Sequence, residues 1–217
     1  MEFHVKKHPD WEYYAYYAID VEERHWGLFD YWWQLGDSFI RVYDNVKDFS
    51  YCAENYSEYA EPYFKQQMGM IPVPWEKALD WFIAEIGKTG VDWYIHGSTA
   101  MALWGIDVEP KGVDIIIPNY SDFDKVREHF REFAIFPIER CENWVMSGLG
   151  NIFMEAGISL AFHNRELEPY GMGGLGKAVH NGRNVFISNL ETLKWNNECY
   201  GRPERVALIE ERMKQNI

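Results

Sequence analysis

An aspartate stands inside one of the most apolar segments of the chain. Residues Val113 to Ile117 read Val-Asp-Ile-Ile-Ile, a nearly continuous apolar run that predicts a buried strand. An unpaired carboxylate buried in such a strand would cost several kcal/mol. Asp114 therefore needs a partner, which is either a metal ion or a Lys, an Arg or a backbone amide.

A glycine-serine pair precedes this strand. Val91 to His96 predicts a strand that runs into Gly97 and Ser98, and Thr99 to Trp104 predicts a short helix closed by Gly105. Backbone amides and a serine hydroxyl at a helix start suit phosphate oxygens, and a glycine lets phosphate approach closely. The same pair also fits a plain strand-to-helix turn in which Ser98 is the helix cap.

Helices and strands alternate through the second part of the chain. Apolar residues at helical spacing predict a helix from Pro74 to Ile86, and Ser121 is expected to cap another from about Asp122 to Phe133. Further strands are expected at 152–155, 158–162 and 185–187, and further helices at 190–199 and 203–214. This order predicts an α+β (α/β-like) fold with one mixed sheet flanked by helices.

The N-terminal part of the chain is unusually rich in aromatic residues. The segment Ile71–Pro74 contains two prolines and predicts a break between an N-terminal region, residues 1–72, and a domain, residues 73–217. We expect the N-terminal region to be mainly helical. Its expected helices are 10–33, capped by Asp10, and 48–67, and its expected strands are 2–6 and 38–43. The aromatic side chains are expected to form core, or alternatively a stacking wall or a dimer surface.

Charge and cysteine content restrict the classes of partner. The chain carries 21 basic and 34 acidic residues, for a formal charge of −13, which disfavours a polynucleotide partner but allows a local basic pocket for one nucleotide. Three widely spaced cysteines and the lack of a leader-like start favour a cytoplasmic protein. The apolar runs are too short to span a bilayer, and no histidine or cysteine spacing predicts a zinc site.

The segment from His96 to Ala100, with Leu103, Gly105 and the strand bearing Asp114, resembles a known motif. It is similar to the nucleotidyltransferase motif in which Gly and Ser precede a strand carrying Asp-x-Asp, as in minimal and lincosamide nucleotidyltransferases and AbiEii-like proteins. The tail 189–209 also looks like the closing helices of that family. The resemblance implies a nucleotidyltransferase-like fold, a nucleoside triphosphate substrate and Mg²⁺, with Lys194 facing the nucleotide.

The sequence departs from this motif at the metal-binding acids. Asp114 matches the first carboxylate, but the second falls on Ile116 and the third falls on Ser159, with Glu155 as a substitute if the strand is shifted. A single carboxylate holds Mg²⁺ only when phosphates and waters complete the octahedron. The site residues that the resemblance implies are Asp114 for metal binding or catalysis and Gly97, Ser98 and Lys194 for phosphate binding.

Three alternative assignments stay open. Asp107 and Glu109 offer another pair of alternating acids if the strand lies earlier. Lys194 also fits a solvated helix position. The glycine-rich segment Gly171–Lys177 invites a phosphate-loop interpretation, but Ala178 stands where a metal-binding Ser or Thr is needed, which favours a surface loop.

Two functions follow from these features. The first is a nucleotidyltransferase-like protein that binds a nucleotide or phosphate ligand and transfers a nucleotidyl group to a small hydroxylated molecule or a protein. The second is a non-catalytic binding or regulatory module of the same fold, with the aromatic N-terminal region as its surface for a protein partner.

Overall fold

The computed structural model describes residues 1–7, 13–43, 49–141, 146–163 and 174–215. Its strands and helices form two sheets and six α-helices in this part of the chain. The strands are β1 (Glu2–Lys7), β2 (Tyr14–Ile19), β3 (Trp33–Leu35), β4 (Ser38–Tyr43), β5 (Tyr94–His96), β6 (Val113–Ile117), β7 (Ala134–Arg140), β8 (Met146–Met154), β9 (Ala156–His163), β10 (Gly176–His180) and β11 (Arg183–Ile187). The helices are α1 (Phe49–Gln67), α2 (Trp75–Ile86), α3 (Gly97–Leu103), α4 (Phe123–Phe130), α5 (Leu190–Cys199) and α6 (Pro203–Gln215).

The larger sheet has seven strands in the order β10-β11-β5-β6-β9-β8-β7. The pairs β11–β5 and β6–β9 are parallel and the other pairs are antiparallel, so the sheet is mixed. The predicted α+β fold with one mixed sheet and flanking helices is therefore confirmed for this part of the chain. The strand predicted at Val113–Ile117 has those bounds in the structure.

The central strand β6 has two different faces. Val113, Ile115 and Ile117 are at most 1% exposed and belong to the hydrophobic core, to which helices α2 and α4 also contribute. Phe82 of α2 stacks on Phe130 of α4, with ring centroids 5.3 Å apart. Because side chains alternate along a strand, Asp114 projects from the opposite face.

The N-terminal region differs from the expectation. A helix was expected at 10–33, but residues 14–19 form strand β2, a 3₁₀-helix covers Glu23–Phe29, and β3 follows. The first four strands form a second sheet in the order β1-β2-β4-β3. Aromatic side chains fall on every face of the hypothetical helix, so no apolar stripe favours it, whereas Tyr and Phe suit paired strands. The expected Asp10 cap lies outside the described residues.

Phe136 on β7 joins the N-terminal region to the large sheet. Its ring contacts aromatic rings from the small sheet, from α1 and from the segment before β3, namely Tyr16, Trp32, Tyr43, Tyr56, Tyr63 and Phe64. Buried residues from both parts of the chain belong to one core cluster. The expectation that the N-terminal aromatics form core is thus confirmed for these residues, and the division into two domains at residue 72 stays a prediction.

Strand β7 was not predicted, because Pro137 lies inside it. The strand sits at the edge of the large sheet, where a missing backbone donor is tolerated, and its pairing with β8 shifts register between Phe136 and Glu139. In the described part of the chain, no helix is both long and apolar enough to cross a membrane.

Candidate functional site

Four polar side chains lie side by side on one face of the large sheet. His96 on β5 is paired with Asp114 on β6, Asp114 with Ser159 on β9, and Ser159 with Asn151 on β8. Directly paired residues of neighbouring strands project to the same face. The Ser159 hydroxyl donates to Oδ1 of Asn151 at 2.9 Å. We call these four residues the polar row.

Both ends of the polar row are held by packing and hydrogen bonding. At one end, Nδ1 of His96 lies 2.7 Å from the hydroxyl of Ser188, which is fully buried. At the other end, Asn151 is paired with Phe136, the residue that anchors the N-terminal aromatics. The row therefore ends where the N-terminal region packs on the sheet, so that region lies beside the site.

A cavity of about 130 Å³ opens over the middle of the polar row. It is lined by Asp114, Ser159 and Asn151 from the sheet, by Ser98 from α3, and by Tyr63 and Gln67 from α1. This volume is below the roughly 300–1,000 Å³ of pockets that enclose a whole drug-sized ligand. The cavity therefore suits one polar group of a ligand, with the rest of the ligand outside it.

Gly97 allows the Asp114 carboxylate to lie against the backbone. Its φ of +62° is in the left-handed region, and a Cβ on this residue would lie 2.9 Å from Cγ of Asp114 and closer still to Oδ2. Only glycine meets both requirements without strain. The structure thus brings together Gly97, Ser98 and Asp114, three of the residues that the sequence indicated.

The end of α1 forms one wall of the cavity. Nε2 of Gln67 donates to the carbonyl oxygen of Lys111 at 2.6 Å, and Nζ of Lys111 donates to the carbonyl oxygen of Gln67 at 2.7 Å. A Cβ on Gly157 would lie 2.6 Å from the Tyr63 ring, so this glycine lets the ring approach β9. Tyr63 belongs to the aromatic N-terminal region, and the stacking-wall alternative for that region stays a prediction.

The electrostatics of the cavity centre on Asp114. Burial raises the pKa of this carboxyl from 3.8 to about 6, and the positive charges of Arg202 and Arg205 offset part of the rise. Burial also raises the pKa of the Tyr63 hydroxyl to about 12, with a further contribution from the negative charge of Asp114. Within the described residues, the Asp114 carboxylate forms no ion pair at contact distance.

Arg202 and Arg205 lie at the turn between α5 and α6 and at the start of α6. The backbone N–H of Arg205 donates to the carbonyl oxygen of Arg202 at 3.1 Å, so both residues belong to the first turn of this helix. The guanidinium of Arg202 lies 5.0 Å from the Tyr200 ring. The sequence indicated this segment only through its resemblance to the closing helices of the family. Two arginines three positions apart at a helix start were the signal that both lie on one side.

Lys194 is not brought into the cavity. Its Nζ lies 2.6 Å from Oε1 of Glu210 on α6 and 3.7 Å from Oε1 of Glu198, and the bond to Glu210 is the main cause of its raised pKa. These contacts join α5 to α6. The nucleotide-facing role of Lys194 stays a prediction.

The alternative acids Asp107 and Glu109 lie outside any strand. Both are exposed, in an irregular segment between α3 and β6. The strand that follows Ser98 is β6, so Asp114 is the acid on it. Glu155 is exposed in the turn between β8 and β9, where its φ is +63°.

The residues present do not fit a metal ion held by protein ligands. Ile116, two positions after Asp114, is buried at 5% exposure, and the position across from Asp114 on β9 is Ser159. In the part of the chain that the structure describes, no three His, Cys, Asp or Glu side chains are grouped for metal binding. Mg²⁺ prefers several oxygen ligands around it, and here one carboxylate is available.

The glycine-rich segment is only partly described, since residues 171–173 lie outside the described ranges. Gly176 and Lys177 belong to strand β10, and Nζ of Lys177 lies 5.7 Å from the centroid of the Phe186 ring. A Cβ on Gly176 would collide with the Trp104 ring. The described part of this segment is therefore a strand that packs closely on α3.

The chain is similar to known proteins in its three-dimensional structure. No family model and no curated protein matches the chain. The chain is similar to TM1012 of Thermotoga maritima, a presumed nucleotidyltransferase, at 15% identity and a TM-score of 0.49, over 64% of this chain and 92% of that one. It is also similar to the antibiotic-resistance factor ANT(2'')-Ia, at 14% identity and a TM-score of 0.48, over 64% of this chain and 86% of that one.

A third similar structure is the lincosamide antibiotic adenylyltransferase LnuA with lincomycin bound. The identity is 12% and the TM-score 0.46, over 62% of this chain and 96% of that one. The similarity to these three structures concerns the fold.

Proposed function

We propose that this chain is a nucleotidyltransferase-like protein that binds a nucleotide or a comparable phosphate ligand in the Asp114 cavity. The main support for the proposal is that Gly97, Ser98 and Asp114 lie close together at a cavity with room for one polar group. The Ser98 hydroxyl and the backbone amide of Gly97 would donate to phosphate oxygens. The base and sugar would then lie outside the cavity.

Transfer of the nucleotidyl group to a small hydroxylated molecule or a protein is one form of this function. Asp114 supports it, because its carboxylate makes no contact ion pair among the described residues and is able to accept a proton. The acceptor hydroxyl would attack the α-phosphorus, pyrophosphate would leave, and Asp114 would take the hydroxyl proton. Lys194 would neutralise phosphate charge in this scheme, which requires it to leave Glu210.

A non-catalytic binding or regulatory module is the second candidate. Ile116 and Ser159 stand where the second and third acids would be, which favours binding without transfer. The exposed side chains of Tyr31, Trp33 and Leu35 supply a surface for a protein partner, with exposures of 88%, 72% and 71%. In this candidate, ligand binding in the cavity would regulate binding of the protein partner, and the ligand would be released chemically unchanged.

Calorimetry with ATP, GTP and CTP tests the binding proposal. The intact protein should bind at least one of them, and Ser98→Ala should weaken the affinity about tenfold through loss of a hydrogen bond to charged phosphate. Ser57→Ala, on the exposed side of α1, is the matched control because its hydroxyl bonds only within the helix. Absence of binding to all three nucleotides and to pyrophosphate would contradict the proposal.

Labelled nucleotide then separates the two candidates. Transfer predicts incorporation of an α-labelled nucleotidyl group into a hydroxylated acceptor or a protein, and its loss in Asp114→Asn. The module predicts binding without incorporation, together with capture of a protein partner that fails when Tyr31 and Trp33 are replaced by serine. That double variant should leave nucleotide affinity unchanged in both cases, since neither residue lines the cavity.

A further inference from the structure

We infer that the Asp114 cavity binds its phosphate ligand without a divalent metal ion, by means of arginine charge and neutral hydrogen-bond donors. This inference rests on the proposed function and specifies the ligand chemistry of the same site. It follows from the set of groups around the cavity rather than from the family resemblance, which implies Mg²⁺.

Neutral groups occupy the positions on either side of Asp114 where further acids would be needed. Ile116 is apolar, and Ser159 is hydrogen-bonded to Asn151 at 2.9 Å. An amide and a hydroxyl offer donors as well as acceptors. A divalent ion would meet one negative charge here, while a phosphate would meet several hydrogen-bond donors.

The charges near the cavity favour an anion. Asp114 is the one acid among the residues that line it, and Lys111 is a lining base. Arg202 and Arg205 act on Asp114 from the start of α6 and add two further positive charges. The two arginines raise the positive potential at the Asp114 carboxylate beyond the contribution of Lys111, which favours an anion over a divalent cation.

Arg205 is the residue best suited to the ligand. Its side chain is partly buried, whereas that of Arg202 is exposed and lies over the Tyr200 ring. No ion pair of either arginine is found within the described part of the chain. A guanidinium free of a carboxylate at contact distance is able to bind phosphate oxygens with two parallel hydrogen bonds.

The volume of the cavity limits how much of the ligand it holds. About 130 Å³ is enough for a phosphate group with bound water, and too small for a complete nucleotide. The phosphate end of the ligand would enter beside Ser98 and Asn151, and the remainder would lie outside the cavity. Pyrophosphate and ATP are therefore suitable probes, because they share the phosphate chemistry and differ in the organic part.

The test measures the affinity of the full chain for pyrophosphate and ATP by calorimetry, in excess Mg²⁺ and in excess EDTA. We expect the affinity in EDTA to equal or exceed that in Mg²⁺. Arg205→Gln should lower it about tenfold, and Arg202→Gln by less. Asp114→Asn should raise it about threefold or more, because removal of the only negative charge of the cavity favours an anion.

Arg24→Gln is the matched control for the arginine variants. Arg24 is exposed, pairs with Glu22 at 2.9 Å, and lies in the 3₁₀-helix before β3. The Arg24→Gln variant has the same change in net charge as the other two arginine variants. Its affinity for pyrophosphate and ATP should match that of the unchanged chain. Thermal unfolding of each variant without ligand checks that the fold is retained, and a variant that does not fold is replaced by Arg205→Lys, which keeps the charge and loses the fork geometry.

The outcomes separate the inference from the proposed function. Binding that requires Mg²⁺ and is lost in Asp114→Asn would overturn the inference and leave the proposed function intact. Metal-independent binding that neither arginine variant changes would also overturn the inference, since the ligand would then be held elsewhere. A failure of both probes and of all three nucleotides, with and without metal, would contradict the proposed function itself.

Discussion

The carboxylate of Asp114 lies against the backbone of Gly97 in the space that any other residue would fill with its Cβ. A Cβ on Gly97 would come within 2.9 Å of Cγ of Asp114, and its φ of +62° is itself unfavourable for other residues. The paired register of His96 with Asp114 fixes this approach, because it places the end of β5 beside the start of β6.

We predict that Gly97→Ala destabilises the chain by about 3 kcal/mol or more, from backbone strain of about 1–2 kcal/mol and from displacement of Asp114. Gly90→Ala is the matched control. Gly90 has a φ of +65° with nothing within 4 Å of its Cβ position, so Gly90→Ala should lose only the stability that backbone strain costs. Urea denaturation measures both. Equal losses of stability would refute the close approach, and partial recovery in Gly97→Ala with Asp114→Ala would support it.

Asp114→Asn should change how stability depends on pH. Its folded pKa of about 6 lies above the unfolded value of 3.8, so the charged form destabilises the fold. The resulting loss of folding stability is complete well above pH 6 and disappears as the pH falls below about 4. Asn carries no charge, so the variant should be about 3 kcal/mol more stable at pH 8, and the difference should vanish below pH 4.

Urea titrations of both chains in a chelating buffer check this prediction. Asp92→Asn, at an exposed position before β5, is the control for removal of one carboxylate at the surface. A gain for Asp114→Asn that stays constant from pH 4 to pH 8 would show that burial does not set the charge state of Asp114.

Tyr63→Phe should weaken phosphate binding several-fold while the stability of the fold stays within about 0.5 kcal/mol. The ring keeps its packing on Gly157 and Phe136, and the substitution removes only the hydroxyl of this cavity-lining residue. Tyr59→Phe, one turn earlier on α1, is the control, since Tyr59 stacks on Phe153 at 5.4 Å and does not line the cavity. Equal affinities of the two variants would exclude the Tyr63 hydroxyl from ligand binding.

Phe136→Ala should lower stability by about 3–5 kcal/mol and keep a single unfolding transition. Phe136 contacts rings from the small sheet and from α1, and the cavity left behind would affect both parts of the chain. Phe186→Ala, at 41% exposure on β11, should cost below about 1 kcal/mol. Calorimetric and spectroscopic melting of each variant gives the comparison. Two separate transitions in the unchanged chain would instead support the predicted domain division at residue 72.

Much of the C-terminal part of the fold was predictable from the sequence, because local patterns and tertiary packing agree there. The apolar run at Val113–Ile117 and the helical spacing around Phe82 each match the element observed. Edge strands were harder to predict from the sequence. Strand β7 contains Pro137, and its place in the sheet depends on pairing with β8 rather than on its own residues.

The N-terminal sheet was missed for a different physical reason. Residues 14–19 carry aromatic and small side chains that fit a helix or a strand, and pairing with β1 and β4 decides between them. The sequence did identify these aromatics as core. It did not show that α1 would bring Tyr63 and Gln67 to the cavity, since these residues lie about 50 positions before Asp114.

The sequence by itself determined the strand, the glycine-serine turn before it and the lone carboxylate, because these depend on neighbouring residues. Tertiary structure decided most of what surrounds that carboxylate: Asn151 through strand register, Tyr63 through α1, and the charges of Arg202 and Arg205 through the start of α6. Strand pairing and helix packing join residues distant in the chain, so the balance of charge in the cavity is a property of the fold.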